Sequence, residues 1–226
     1  MTIQDMHNTF RTLGQQMGMQ LIRAILPESI DVYLNDAIIE WTREAIINAT
    51  KNNLELSGVG KASTMSIINA FKTLYKKTKL DINITDSKSN FYEVIIDETQ
   101  MNPMMFLSFS VIYEDGGREI NCRIINADDV DALTNDFCSK PTKDYPIAVL
   151  INDTDSNSIL DVYTNKNPFQ SINIKYIKYP NVVKYSDVDS ECVNCDLPEY
   201  IHYAIVEKAV QKYFSSIGAR LPGQTQ

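Results

Sequence analysis

The sequence predicts an α+β protein: a helical bundle carrying a mainly antiparallel, β-rich lobe. Three observations predict it. Apolar residues recur at three- and four-residue steps through the first eighty residues, the repeat of one helix face. From about residue 82 the repeat shortens to two, and Ile, Val, Tyr and Phe dominate, as in half-buried strands. Residues 197–214, LPEYIHYAIVEKAVQKYF, then return to a helical repeat. Runs of helix followed by runs of strand argue for segregated α and β layers.

The first helix carries Ile3, Met6, Phe10, Leu13, Met17 and Leu21 on one stripe, with Gly14 and Gly18 on the same helix. Pro27 marks a break. Glu28 and Ser29 open a second helix with Ile30, Leu34, Ala37, Ile38, Trp41, Ala45 and Ala49 on one face. NNLELSGVGKAS reads as a loop. Ser63 can cap a third helix that carries Ile67, Phe71, Leu74 and Tyr75. Lysines 72, 76, 77 and 79, and later 175, 178 and 184, are read as coating solvated faces.

The strand segments are NFYEVIID, MFLSFSVIYEDGGREINCRIIN, YPIAVLINDTDSNSILDVYT and SINIKYIKYP. Gly116 and Gly117 can take the positive φ of a hairpin turn, and DTDSNS forms a second, looser hairpin. Between them, Asn126 or Asp128 can cap a short helix with Val130 and Leu133 inward, closed by Pro141. Strands that follow hairpins, not helical crossovers, pair antiparallel. In the last helix Pro198 suits the start, Glu199 meets the positive end of the dipole, and Gly218 is the stop. Residues 1–81 and 196–218 are therefore assigned to the bundle. Residues 82–195 form the β-rich lobe with its short helix near 127–137, and 219–226 a flexible tail.

Composition excludes some classes. The net charge of −8 argues against a general grip on nucleic acid, which needs a cationic face. No stretch approaches 18 uninterrupted apolar residues, so no transmembrane helix is expected. The start, MTIQDMHNTFRTLG, shows no signal-peptide core, so the chain is expected to stay in the cytoplasm where it is made. Cys122, Cys138, Cys192 and Cys195 are too few, in a chain of 226 residues, for a disulfide scaffold.

Three motifs carry candidate chemistry. GVGKAS (58–63) fails as a phosphate loop: Glu55 stands where Gly is needed, Ala62 where Ser or Thr must follow Lys61, and a helix precedes it. DTDSNSILD places Asp153, Asp155, Asn157 and Asp161 at the offsets of a calcium loop. Ser158 replaces its Gly, however, and Thr164 its bidentate Glu. CVNC (Cys192, Cys195) with His202 nearby lacks the second ligand pair of a structural zinc site. His7 and His202 are the two histidines, and no serine or cysteine has a recognisable nucleophile context. No cofactor is implied and no catalytic constellation emerges. A small metal-dependent enzyme using DTDSNSILD or CVNC with His202 is the rival of another class. A surface-binding module with the β-rich lobe as recognition face is a third.

One resemblance is specific. A strand ending in Tyr176-x-Lys178-x-Pro180 precedes an acidic loop and the pattern through Cys195, Leu197, Pro198, Glu199, His202, Ile205, Val206, Ala209 and Val210. This segment resembles the C-terminal part of head–tail connector (adaptor, or neck ring) proteins of short-tailed, crAss-like bacteriophages. DVYLNDAIIEWTREAI is similar to their early helix with its Leu-Asn-x-Ala core, and NADDVDALTNDFCSKP is similar to their middle segment. About a third of the chain is covered, and no block carries a catalytic signature.

The resemblance implies a non-enzymatic ring subunit in the virion neck or tail, assembled in the host bacterial cytoplasm. It implies a twelve-fold closed ring of this chain under the portal protein, with further tail or ring proteins below. Viral DNA would pass through the channel without sequence-specific binding, and no membrane is involved. Another tail ring or a stopper protein is the alternative within that class. Heterologous interfaces close rings by rotation, and an acidic surface lets DNA slide. The interface expected from the wide apolar face of the last helix and the tail is Pro198, Ile201, Ile205, Tyr213, Phe214, Arg220, Leu221 and Pro222. Deleting 219–226 is expected to weaken portal binding; unchanged co-assembly of the truncated chain would sink that idea.

Overall fold

The computed structural model describes residues 1–17, 25–55, 71–81, 91–113, 117–136, 138–152, 158–165 and 167–217. The protein is mixed α and β, with five α-helices and two antiparallel-rich sheets among these residues. The GVGKAS loop and Ile67 of the expected third helix lie outside the described residues, as do Asp153, Asp155 and Asn157, and so does everything after Ile217. Two compact units are present: Met1–Leu74 with Tyr179–Gln226, and Tyr75–Lys178.

The first unit is helical. Helix α1, Ile3–Gln16, starts with a capping box. Thr2 Oγ1 accepts from the Asp5 amide at 3.2 Å, and Asp5 Oδ2 accepts from the Thr2 amide at 3.0 Å. Two orphan donors are thereby satisfied reciprocally. Helix α2, Pro27–Glu55, opens on the expected proline. The last helix, α5, spans Glu199–Ser216 with Pro198 as its N-cap. Helix α5 packs on both α1 and α2 more extensively than those two pack on each other. Ile3, Met6 and Phe10 of α1, Leu34 and Ile38 of α2, and Ile205 and Val210 of α5 form its buried core.

The second unit holds eight strands among the described residues: β1 Tyr75–Asp81, β2 Phe91–Ile96, β3 Pro103–Ile112, β4 Glu119–Asn121, β5 Arg123–Ile124, β6 Ile147–Asn152, β7 Ser158–Tyr163 and β8 Ser171–Lys178. One sheet has the order β1-β8-β3-β4 and the other β2-β7-β6-β5. A single apolar core joins them: Tyr92, Val94 and Leu160 from one sheet, and Phe109, Val111 and Ile174 from the other. Both expected hairpins form, β3 with β4 and β6 with β7. Gly117 adopts φ 65° at the first, and Gly116 lies outside the described residues. Pairing is antiparallel except between β5 and β6, where Arg123 and Ile124 run parallel to Ile147 and Ala148.

Two expectations are corrected. Residues 71–74 form turns, and Tyr75 begins strand β1 instead of ending a helix. Strand β1, YKKTKLD, is the outermost strand of its sheet and is exposed along most of its length. An edge strand needs no apolar alternation, and lysines there discourage pairing with other chains. That is why its sequence hid it. Lys77 pairs with Glu119 at 2.9 Å; the Ser110 hydroxyl and Lys77 hold the Glu119 carboxyl down to about 2.

The short helix expected near 127–137 is present, and the second correction concerns only its cap. It is a turn of 3-10 helix, Ala127–Asp129, leading into α4, Val130–Asn135, after the one-turn helix α3, Glu98–Met101. Neither Asn126 nor Asp129 makes a side-chain capping bond. Val130 and Leu133 are half-buried.

Candidate functional site

Of the motifs with candidate metal or nucleotide chemistry, GVGKAS and Asp153, Asp155 and Asn157 lie outside the described residues. Among the described residues no three His, Cys, Asp or Glu side chains are grouped to hold a metal ion. Asp161 is in strand β7, and Thr164 is buried, its hydroxyl donating to the Asn167 carbonyl at 2.7 Å. Cys192 and Cys195 are free thiols. Cys192 Sγ donates to the Ser186 carbonyl at 3.2 Å, and burial pushes the Cys195 thiol up to about 11. Asn194, between them, accepts from the Ile3 amide at 2.8 Å. The CVNC loop is thus a clasp on the start of α1. His202 is buried, with Nε2 donating to the Leu197 carbonyl at 2.8 Å. That bond fixes the entry into α5.

A buried polar node that the motifs did not announce stands nearby. His7 on α1 is buried. Its Nε2 is 2.7 Å from Asp31 Oδ1 on α2. Asp31 Oδ2 accepts from the Tyr185 amide at 3.0 Å, and the His7 ring stacks on Tyr185 at 4.9 Å. A carboxylate only accepts hydrogen bonds, so Nε2 carries the proton. Burial holds the His7 imidazole below its ordinary value, against the pull of Asp31. At neutral pH the node is therefore a neutral ring donating to a carboxylate. One signal could have found it: position 7 falls on the i, i+3, i+4 stripe set by Ile3, Met6 and Phe10.

One turn on, Asn35 binds Val183 through both ends of its amide. Nδ2 donates to the Val183 carbonyl at 3.0 Å, and Oδ1 accepts the Val183 amide at 2.8 Å. Asp31 and Asn35 together hold residues 182–187 alongside α2. Between that segment and the helix runs an open groove of about 490 Å³. Its rim carries Pro27, Glu28 and Val32 from α2, and Val182, Lys184 and Asp187 from the segment. Val32 is 60% exposed and Val182 72%. Apolar side chains this open are worth noting only when they share a depression, as these do.

The surface of α5 differs from the one expected. Ile201, Ile205 and Phe214 are buried within the chain. Tyr213 and Pro198 are half-buried, and Tyr213 makes edge contacts with Phe10 and Tyr33. Ile201, Ile205 and Phe214 thus belong to the buried side of α5, and Tyr213 meets both α1 and α2. Arg220, Leu221 and Pro222 lie outside the described residues. Lys208 pairs with Glu40 at 3.1 Å and Glu44 at 2.6 Å, and Lys212 with Glu40 at 2.6 Å. The tyrosines that α5 exposes are Tyr200, at 70%, and Tyr203, at 54%.

No protein-family model matches the chain, and no curated protein matches it in sequence. No helix among the described residues is long and apolar enough to cross a membrane.

Proposed function

We propose that the chain is a non-enzymatic, ring-forming head–tail connector subunit of a short-tailed, crAss-like bacteriophage. In this reading a helical bundle with an inserted β-rich lobe docks under the portal protein and lines the channel for viral DNA. The observation that carries the reading is that sequence blocks resembling that family have a shared structural purpose here. Asn35, from the Leu-Asn-x-Ala block of α2, holds Val183, three residues after Pro180 of the Tyr-x-Lys-x-Pro block. His202, from the Pro-Glu-x-x-His block, holds Leu197 at the start of α5, and Glu40 joins α2 to that helix. Residues that recur in a resemblance while carrying no chemistry are accounted for when they fix the architecture. The net charge of −8 also suits a channel wall along which a polyanion must not stick.

The test is mass determination by light scattering, with and without purified portal protein. A closed ring, alone or bound to portal, is expected. A stable monomer indifferent to portal at every concentration would overturn the reading.

A further inference from the structure

Helix α5 runs antiparallel to α2. Tyr33 meets Ser216 at 2.9 Å, Glu40 meets Lys212 and Lys208, and Glu44 meets Lys208, so residue numbers rise on one helix as they fall on the other. The end of α5 therefore lies beside the first turns of α2, and Ile217 leaves the helix close to the level of Val32. The direction of α5 then leads towards Glu28 and Pro27, where α2 begins. Around α2, Val32 stands about 100° from Tyr33, and Glu28 and Asn35 about 140° and 160°. Val32 is thus the edge of the groove nearest the point where the chain leaves α5.

The residues that follow Ile217 are GARLPGQTQ. Roughly 100° of travel around a helix about 11 Å across is a path of about 10 Å. A chain covers up to about 3.3–3.6 Å per residue, so Arg220, Leu221 and Pro222 come within reach of the groove. Their chemistry suits it. Asp31 is already engaged by His7 and by the Tyr185 amide. The other charges on the lining are Glu28 and Asp187 against Lys184, which leaves the rim acidic. Glu28 and Asp187 are exposed and make no ion pair among the described residues. Arg220 is the one charged residue after Ile217, and a guanidinium meets carboxylates through paired N–H donors. Leu221 and Pro222 beside it are apolar, as are the exposed Val32 and Val182.

We propose that the segment after α5 docks in the α2 groove of its own chain, with Arg220 facing Glu28 and Asp187, and Leu221 and Pro222 over Val32 and Val182. Tethering favours this occupant. Because α5 ends beside the groove, the segment is held there at an effective concentration of about millimolar. One basic and two apolar side chains then suffice where a free peptide of the same sequence binds weakly. The contact goes beyond the ring reading and does not depend on it. It covers the groove from within the chain, and a partner that uses the groove has to displace it.

The experiment uses the full chain with Gln224 replaced by the photoreactive residue p-benzoylphenylalanine, as an equal mixture of isotope-labelled and unlabelled protein. After irradiation, mass spectrometry identifies the crosslinked peptides. Crosslinks to residues 27–35 or 182–187 within chains of a single label are expected. Crosslinks that join the two labels place a second copy in the groove and overturn the contact within the chain. Crosslinks elsewhere in the chain, or none, overturn it too. Arg220→Glu is expected to lower the yield about fivefold, and adding Asp187→Lys to restore it. Val32→Arg is expected to lower it as well. Arg220 follows α5, Val32 and Asp187 are exposed, and circular dichroism checks that each variant is folded. A yield that none of these variants changes overturns the proposal. Light scattering of the same protein reads the ring separately, so either reading can fail alone.

Discussion

Asn35 grips a single residue, Val183, with both ends of its side-chain amide, at 2.8 and 3.0 Å. It adds to the isolated bridge by which Lys184 of the 182–187 segment pairs with Val193. Asn35→Leu keeps the size and removes both bonds, leaving an amide and a carbonyl without partners. A loss of about 2 kcal/mol in urea unfolding is expected. Asn35→Asp is expected to lose a similar amount, because its carboxylate then faces the Val183 carbonyl. A Leu variant within 0.5 kcal/mol of the wild type would show that Asn35 does not hold the segment, since that is the range of ordinary surface changes.

Phe214 and Ile205 separate core from interface. Both are buried in the single chain, so truncation should cost stability whatever the assembly state. Phe214→Ala is expected to destabilise the monomer by about 3–5 kcal/mol and Ile205→Ala by about 2–5 kcal/mol. Denaturant midpoints of the dilute protein give the answer. Wild-type midpoints combined with impaired assembly would return these residues to an intersubunit face.

His7 gives stability a pH dependence of known sign. Its folded value lies below the ordinary 6.5, chiefly because the ring is buried. The unfolded chain therefore binds the proton more readily. The contribution is complete above about 6.5 and is lost as pH falls through the lower folded value. His7→Gln is expected to flatten this part of the stability profile relative to the wild type. Parallel profiles for the two proteins from pH 7 down to about pH 5 would show that His7 is not the group responsible.

Asp161 runs the other way. It stands directly opposite Glu93 across the β2–β7 ladder and is 8% exposed. Burial, and then the Glu93 charge, push its carboxyl above the ordinary value of 3.8. The folded state thus holds the proton more tightly than the unfolded chain, and the ionised form costs stability at neutral pH. Asp161→Asn is expected to stabilise the protein at pH 7 by about 0.5–1 kcal/mol, as for like charges directly opposite in a sheet. The advantage should vanish as pH falls towards 3.8. Thermal melts at both pH values read it, and a destabilised Asn variant at pH 7 would show that the carboxylate has a partner.

The elements legible in the sequence were those whose burial is one-sided and regular. Ile3, Met6 and Phe10 announce α1, and the alternation in FYEVII announces β2. Strand β1 was hidden because its register with β8 leaves it at an edge, where lysines serve better than valines. The α5 pattern reads as a helix of the bundle with apolar surface for a core and for a neighbour, but its spacing does not assign each residue to one or the other. Ile201, Ile205 and Phe214 face two helices of their own chain, and burial against one's own chain or a neighbour selects the same residue types. The His7–Asp31–Tyr185 node depends on residues 24 and 154 positions apart. No local spacing encodes such a meeting. The groove inherits that difficulty, since the Asp31 and Asn35 contacts fix its far wall.

The discontinuity of the helical unit sets an order of events during synthesis. Helices α1 and α2 leave the ribosome first, yet each packs mainly on α5. At about 5–20 residues per second, the stretch from Glu55 to Glu199 delays that partner by roughly ten seconds. The strands between them can complete their sandwich meanwhile. A nascent chain in that interval has neither the 182–187 wall of the groove nor the helix that packs on α1 and α2. Until its own translation is nearly done, α1 and α2 lack the helix on which both pack, so closure of this unit is timed by the position of one helix in the reading frame.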